Sequence, residues 1–331
     1  MNENQLRMLY IYKMLCELTD DEHYLTVNQI IRLLKERYEI EAYRTTVIKD
    51  IETLKLVGVN IEAVRATQNR YSLTAQVFEM PELKLLIDAV ESSRFITDRK
   101  SRTLVVKLTT LASSYKAEEL KRHLHTERRI RGNNEKIYYI IDAVNEAIDR
   151  KKKIRFQYVY YDMRKKKKLR HGGEWYLFSP YALVWNGDYY YMLGFSDKYG
   201  EITSFRIDRI AAQPEVLSED AQPKPKDFNL DQYLNTHFRM VNSPVQEVTL
   251  RCQASTMDAV IDRFGTKIPV QEIVADEWFE TTVEVGTGLT FYNWIFGFGG
   301  KIRIMGPDSV KAEYRERLEM AYAALDEEND Q

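Results

Sequence analysis

Apolar residues recur every three or four positions through most of the chain to about residue 148, and from residue 150 to 217 strand patterns replace that rhythm. The first pattern marks helices with one buried face, and the alternation that replaces it marks strands. A block of helices followed by a block of strands predicts an α+β protein assembled from successive segments. With 331 residues the chain exceeds one ordinary core, so two or three domains are expected. No run approaches 18 apolar residues, and "MNENQLRMLYIYKML" lacks the basic-then-apolar order of a secretion signal, so no membrane partner is expected. Cys16 and Cys252 stand far apart without CxxC spacing, which predicts two reduced thiols in a cytoplasmic protein.

Residues 1–75 carry three helical stripes. Ile11, Leu15 and Leu18 form the first; Val27, Ile30, Ile31 and Leu34 follow Thr26, an N-cap candidate; Val47, Ile51 and Leu54 end near Gly58. Two short strand patterns, "VNIEAV" and "RYSL", come next. Three helices and then a hairpin is the order of a winged helix-turn-helix, whose third helix enters the DNA major groove. On its free face lie Arg44, Thr45 and Lys49, with Tyr43 and Thr46 near its start and Thr26 at the head of the preceding helix. Arg suits bidentate reading of guanine, Thr a thymine methyl or phosphate, and Lys a phosphate. Arg65, Gln68, Asn69 and Arg70 belong to the wing, within reach of backbone or minor groove. A plain helical domain with a solvated charged face remains the alternative for these residues taken alone.

Residues 76–149 read as a helical connector with capacity to dimerise. Pro81 opens one helix carrying Leu83, Leu86, Ile87 and Val90, and Leu104, Leu108, Leu111 and Tyr115 mark another. Ser113 and Lys116 spell S-x-x-K, which without a companion motif is coincidence.

From residue 150 to 217 four or five short strands, with Asn186-Gly187 as a hairpin turn, predict a small bent sheet or barrel. Net charge is only −2, yet from Arg150 to Arg170 eleven Lys or Arg face a single acid, Asp162. A local positive field of that kind attracts phosphate.

These residues resemble a WYL domain. Phe156-Gln157-Tyr158, Ser179-Pro180-Tyr181-Ala182-Leu183, Tyr190-Tyr191-Met192-Leu193-Gly194 and Phe205-Arg206-Ile207-Asp208-Arg209-Ile210 match the family's pattern in order and spacing. The literal Trp175-Tyr176-Leu177 stands before the Pro strand, where the family has no such triplet, so Tyr190-Tyr191-Met192 is taken as the counterpart. Arg44-Thr45-Thr46-Val47-Ile48-Lys49-Asp50-Ile51 is similar to the recognition segment of WYL domain-containing transcriptional regulators, with Lys49 in place of an Arg. Residues 240–331 resemble the C-terminal extension of such proteins, with strands and helices in the order of a ferredoxin-like sandwich.

The resemblance implies a small Sm/SH3-like β-barrel that senses a nucleic-acid or nucleotide ligand and alters operator binding. Tyr158, Tyr181, Tyr190 and Tyr191 offer faces for bases; Arg170, His171, Arg206 and Arg209 offer donors for phosphate, with Ser179 beside them. Alternation sets Arg206 and Asp208 on one face and Arg209 on the other, and an ion pair with Asp208 would leave one arginine for a ligand. The expectation is therefore a homodimeric regulator whose partners are a double-stranded DNA operator and a single-stranded nucleic acid or nucleotide effector. An accessory binding protein of a nucleic-acid-processing or phage-defence system is the alternative. No nucleophile-base set, metal set or Walker motif is legible, so neither enzymatic activity nor a cofactor is expected.

Overall fold

The structure is a computed structural model that describes residues 3–64, 69–73, 78–122 and 134–325. It divides into two compact units, Met1–Glu135 and Lys136–Gln331.

The first unit begins with α1 (Glu3–Leu18), β1 (Leu25–Thr26), α2 (Val27–Tyr38), α3 (Arg44–Leu56), β2 (Ile61–Val64) and β3 (Arg70–Leu73). The predicted stripes meet in one core: Ile11 and Leu15 of α1, Ile30 and Leu34 of α2, and Val47 and Ile51 of α3 are all fully buried. Burying six such side chains contributes roughly 1.5–3 kcal/mol each, which is what holds three short helices together. Thr26 caps α2 through a reciprocal pair with Gln29, and Glu39 in the left-handed conformation ends it. The hairpin β2–β3 gains a third strand, β1, in the order β1-β3-β2. That two-residue strand has no periodicity to betray it in the sequence.

Three further helices complete the unit: α4 (Met80–Ser92), α5 (Asp98–Thr109) and α6 (Ser114–Arg122), packed through Leu83, Ile87, Val105, Ala112 and Leu120. They join the N-terminal helices at the turn after α1. The Asp20 carboxylate, almost wholly buried, accepts from Ser113 Oγ (2.5 Å) and from the backbone N–H groups of Glu22 (3.0 Å) and His23 (2.9 Å), and lies 2.8 Å from His23 Nδ1. The His23 ring stacks on Tyr115 at 3.7 Å, and Lys116 pairs with Asp21. Ser113 and Lys116 thus serve this joint.

The second unit opens with α7 (Ile137–Asp149) and continues through β4 (Lys152–Phe156), β5 (Val159–Tyr161), β6 (Lys167–Leu169), β7 (Tyr176–Asn186), β8 (Tyr189–Ser196), β9 (Glu201–Arg206) and β10 (Glu215–Asp220). Five of these strands form one antiparallel sheet in the order β10-β4-β7-β8-β9, while β5 and β6 form a separate two-stranded ribbon. The sheet is open, not the closed barrel expected: its outer strands β10 and β9 do not pair. It buries its two faces by covering them instead of by curling. Phe156, Tyr176, Phe178 and Phe205 cluster on one face, and α7 packs against β4, β7 and β10. On the other, Tyr191 and Leu193 lie under Tyr233 and Met240 of the chain that follows. Covered on both sides, β8 is buried continuously from Tyr191 to Gly194. Gly194 sits opposite a register shift in β7, where a Cβ would come 2.1 Å from the Ser179 carbonyl oxygen, so no side chain fits.

After α8 (Leu230–Thr236) come β11 (Val245–Gln253), α9 (Met257–Phe264), β12 (Gln271–Val274), β13 (Trp278–Gly286), α10 (Leu289–Phe296), β14 (Ile302–Gly306) and α11 (Asp308–Ala323). The four strands run β12-β13-β11-β14, antiparallel throughout, a split β-α-β arrangement. Its core gathers Val248, Leu250, Val285, Phe291, Ile295 and Val310.

Candidate nucleic-acid interface

Helix α3 turns its buried stripe inward and leaves the opposite arc bare. Tyr43, at its N-cap, is 82% exposed, and Arg44, Thr45 and Lys49 are exposed while Thr46 is half-buried. The side chains of Arg44 and Lys49 make no hydrogen bond or ion pair among the described residues. The helix's two acids are neutralised: Asp50 is held by Arg7 of α1 at 2.7 Å, and Glu52 by Lys55 at 3.1 Å. The free arc is accordingly cationic. Arg7, largely buried, is a residue that the sequence reading missed, because nothing in the pattern of α1 says what lies 43 positions away.

The wing candidates divide. Arg70 is exposed on β3, its guanidinium 4.1 Å over the Tyr24 ring. Asn69 is half-buried, its amide 3.5 Å from the Tyr71 hydroxyl. Arg65 and Gln68 lie outside the described residues. Thr26, placed with the DNA-facing set from sequence, caps α2: its hydroxyl accepts from Gln29 N–H and bonds Gln29 Oε1 at 2.9 Å.

The ligand candidates of the second unit do not form one hollow. Tyr158 is buried, its hydroxyl accepting from the Arg206 N–H at 3.1 Å, and burial pushes its pKa up to about 12. Tyr191, paired with Arg206 across β8 and β9, is buried as well, and its hydroxyl is likewise pushed up by burial. Arg206 forms the ion pair that alternation allowed, with both nitrogens on Asp208 at 3.0 and 2.8 Å, and it stacks 3.2 Å over Tyr189. Burial alone would lower the pKa of that guanidinium, and Asp208 outweighs it. Tyr191 is thus buried and Arg206 is held by Asp208. Arg209 is half-exposed, and Arg170 and His171 are exposed on the turn after β6. The Arg170 N–H bonds the Tyr158 carbonyl at 2.7 Å, which sets that turn beside the Arg206 corner.

Ser179 and Tyr181 belong elsewhere. Ser179 pairs with Phe195, four residues along β8 from the Tyr191–Arg206 pair, a separation of about 13 Å at strand rise. Its buried hydroxyl accepts from the Gln222 N–H at 2.9 Å, and the Tyr181 hydroxyl donates to the Pro223 carbonyl. Both hold the linker after β10. Tyr190 is half-exposed on β8. A cavity beside Asp20 and another between β14 and α11 touch none of these candidates. Among the described residues no cluster of His, Cys, Asp or Glu is arranged to hold a metal, and no helix is long and apolar enough to cross a membrane.

Comparison with known proteins adds the following. Residues 139–214 match the WYL domain and residues 244–322 the WCX domain. No curated protein matches the sequence. Among solved structures, the chain is similar to the proteasome accessory factor B/C (PafBC) of Arthrobacter aurescens at 18% identity and a TM-score of 0.29, covering 96% of this chain and 46% of that one. It is similar to a CRISPR Cas-related protein at 13% identity and a TM-score of 0.38, covering 98% of this chain and 84% of the other. The chain thus spans about half the length of the first of these, and both scores are too low to define the fold. The family matches are specific to the second unit, and by them this chain carries a WYL domain followed by a WCX domain.

Proposed function

We propose that the protein is a transcriptional regulator that binds duplex DNA as a homodimer through a winged helix-turn-helix, residues 3–73, with α3 as the recognition helix. The observation that carries the reading is the cationic arc of α3, where Arg44, Thr45 and Lys49 stand free while both acids of the helix are paired away. One such helix reads only a few base pairs, so two half-sites are needed for an operator-grade ratio of specific to non-specific binding. The WYL segment modulates this binding by taking a nucleotide or single-stranded nucleic acid. With Arg206 held by Asp208, its phosphate contacts fall to Arg170, His171 and Arg209, or to Arg206 once an anion displaces Asp208.

The test is selection of bound fragments from genomic DNA followed by footprinting. Arg44→Ala is expected to weaken the selected footprint by about 1–3 kcal/mol at each half-site, the worth of one bidentate base contact. An unchanged footprint with a folded variant overturns the assignment of α3. Added oligonucleotide is expected to shift the wild-type footprint, and no shift at saturating oligonucleotide overturns the sensing role.

A further inference from the structure

The eleven cations between Arg150 and Arg170 are not alike once folded. Four of the five at the base of the run are neutralised: Arg150 by Glu146, Lys152 by Asp220, Lys153 by Asp197 and Arg155 by Glu215, at 2.6–2.7 Å. Those on the β5–β6 ribbon are not. Arg164, Lys165, Lys166, Lys167, Lys168 and Arg170 are all exposed, and none has a carboxylate partner among the described residues. The ribbon's single acid, Asp162, is spent on its own turn, where Oδ1 accepts from the N–H groups of Arg164 (3.0 Å) and Lys166 (2.8 Å). Two further backbone bonds, Lys165 N–H to Asp162 and Asp162 N–H to Lys166, close the tip. The ribbon is therefore a shaped finger of uncompensated positive charge. Like charges crowded along one short strand and the turn before it repel one another, and among the described residues no carboxylate offsets that repulsion.

We propose that this ribbon is a second DNA contact of the protein, a sequence-independent one that grips the phosphate backbone of duplex DNA; the proposal rests on the reading that the protein is a duplex-DNA binder. A two-stranded ribbon fits the major groove, whose phosphate-lined walls face it on both sides. Cations on both faces suit that geometry. The register sets Tyr160 opposite Lys168 and Tyr161 opposite Lys167, so each face carries one tyrosine and one lysine. A single strand would need successive bases stacked along one face, and with the two tyrosines on opposite faces no such platform exists. Aromatic rings backed by lysines here serve as stiff walls and hydrogen donors beside sugar and phosphate.

The full chain is titrated by fluorescence anisotropy against a random-sequence 20-base-pair duplex across a salt series, with a 20-nucleotide single strand as competitor and sedimentation with phosphatidylserine vesicles as a parallel arm. The variant Lys166→Gln, Lys167→Gln, Lys168→Gln keeps the stems and removes three charges, and the matching triple Arg variant keeps the charge. Three lost phosphate contacts lower the salt slope by about 2.7, so between 50 and 200 mM salt the wild type loses about 40-fold more affinity than the Gln variant. The Arg variant is expected to behave as wild type, which separates charge from folding. An unchanged slope in the Gln variant overturns the proposal. So does stronger competition by the single strand, or ribbon-dependent sedimentation with vesicles in place of duplex binding. A footprint that survives while the slope is unchanged removes the ribbon and leaves α3 standing; a ribbon-dependent slope with no footprint does the reverse.

Discussion

Replacing Asp20 is the sharpest test of how the first unit is built. Its carboxylate is about 2% exposed and receives three protein donors, the Ser113 hydroxyl and two backbone N–H groups, besides lying against His23. Each hydrogen bond to a charged acceptor contributes roughly 1.5–3 kcal/mol, and a donor stripped of its partner while buried carries its full desolvation cost. Removing one member of a buried charged set costs about 3–5 kcal/mol in comparable cases, and Asp20→Ala is expected to fall there. For a unit of this size that is a fall in Tm of about 12–20 °C, at about 4 °C per kcal/mol. Asp20→Asn keeps one acceptor oxygen, and the Ser113 hydroxyl can rotate to accept from the new amide, so its loss is expected at about 1–3 kcal/mol.

Calorimetry of the full chain reads both variants, and the order Ala worse than Asn is as informative as the size. Burial alone would raise the pKa of the Asp20 carboxyl; the bonds from Ser113, His23 and the two amides outweigh it and hold the group below the usual carboxylate range. A depressed folded pKa means the stabilisation is complete above the unfolded value of about 3.9 and is lost as pH falls through the folded one. The Ala penalty is thus expected to stay constant from pH 8 to 5 and to shrink below about pH 4. An Ala variant melting within 2 °C of wild type at pH 7 would refute the claim that this joint holds the two sets of helices together.

Two further outcomes follow from the second unit. Gly194→Ala is expected to cost about 3 kcal/mol or more in the denaturant midpoint, since its Cβ would meet the Ser179 carbonyl at 2.1 Å and the Phe178 ring at 2.7 Å, neither of which can yield cheaply; a midpoint unchanged within error would show the register shift to be misplaced. Cys252 is fully buried and burial pushes its pKa up to about 12, so at pH 8 a thiol reagent is expected to label it only after unfolding, and rapid labelling of the native protein would contradict its placement in the core.

Much of the fold is written in local periodicity, and what is not depends on distant neighbours. The stripes through Ile30, Leu34, Val47 and Ile51 were legible because each helix has one buried face. The Arg206–Asp208 pair of the FRIDRI corner was foreseen, but not its geometry: the strand ends at Arg206, and a 3-10 turn over Ile207–Arg209 brings Asp208 back to it. The barrel failed because closure is decided by what covers a sheet, and the covering residues 228–240 carry no signal of where they will lie. Thr26 was readable as a cap, and its reciprocal bond with Gln29 is that cap. For the basic run, sequence gives the charge but not its pairing. Only the folded chain separates Lys152 and Lys153, which have carboxylate partners, from Lys166 to Lys168, which have none among the described residues.

Strand β8 of the WYL sheet is roofed by residues that, along the chain, already lead toward the WCX domain. Cutting the polypeptide after Asp220 would therefore not liberate a tidy WYL module. It would unroof Tyr191 and Leu193 and turn an oily stripe toward water, inviting self-association. The same roof is a mechanical link: whatever lifts Tyr233 and Met240 tugs on Tyr191, which is laced to Arg206 in the next strand.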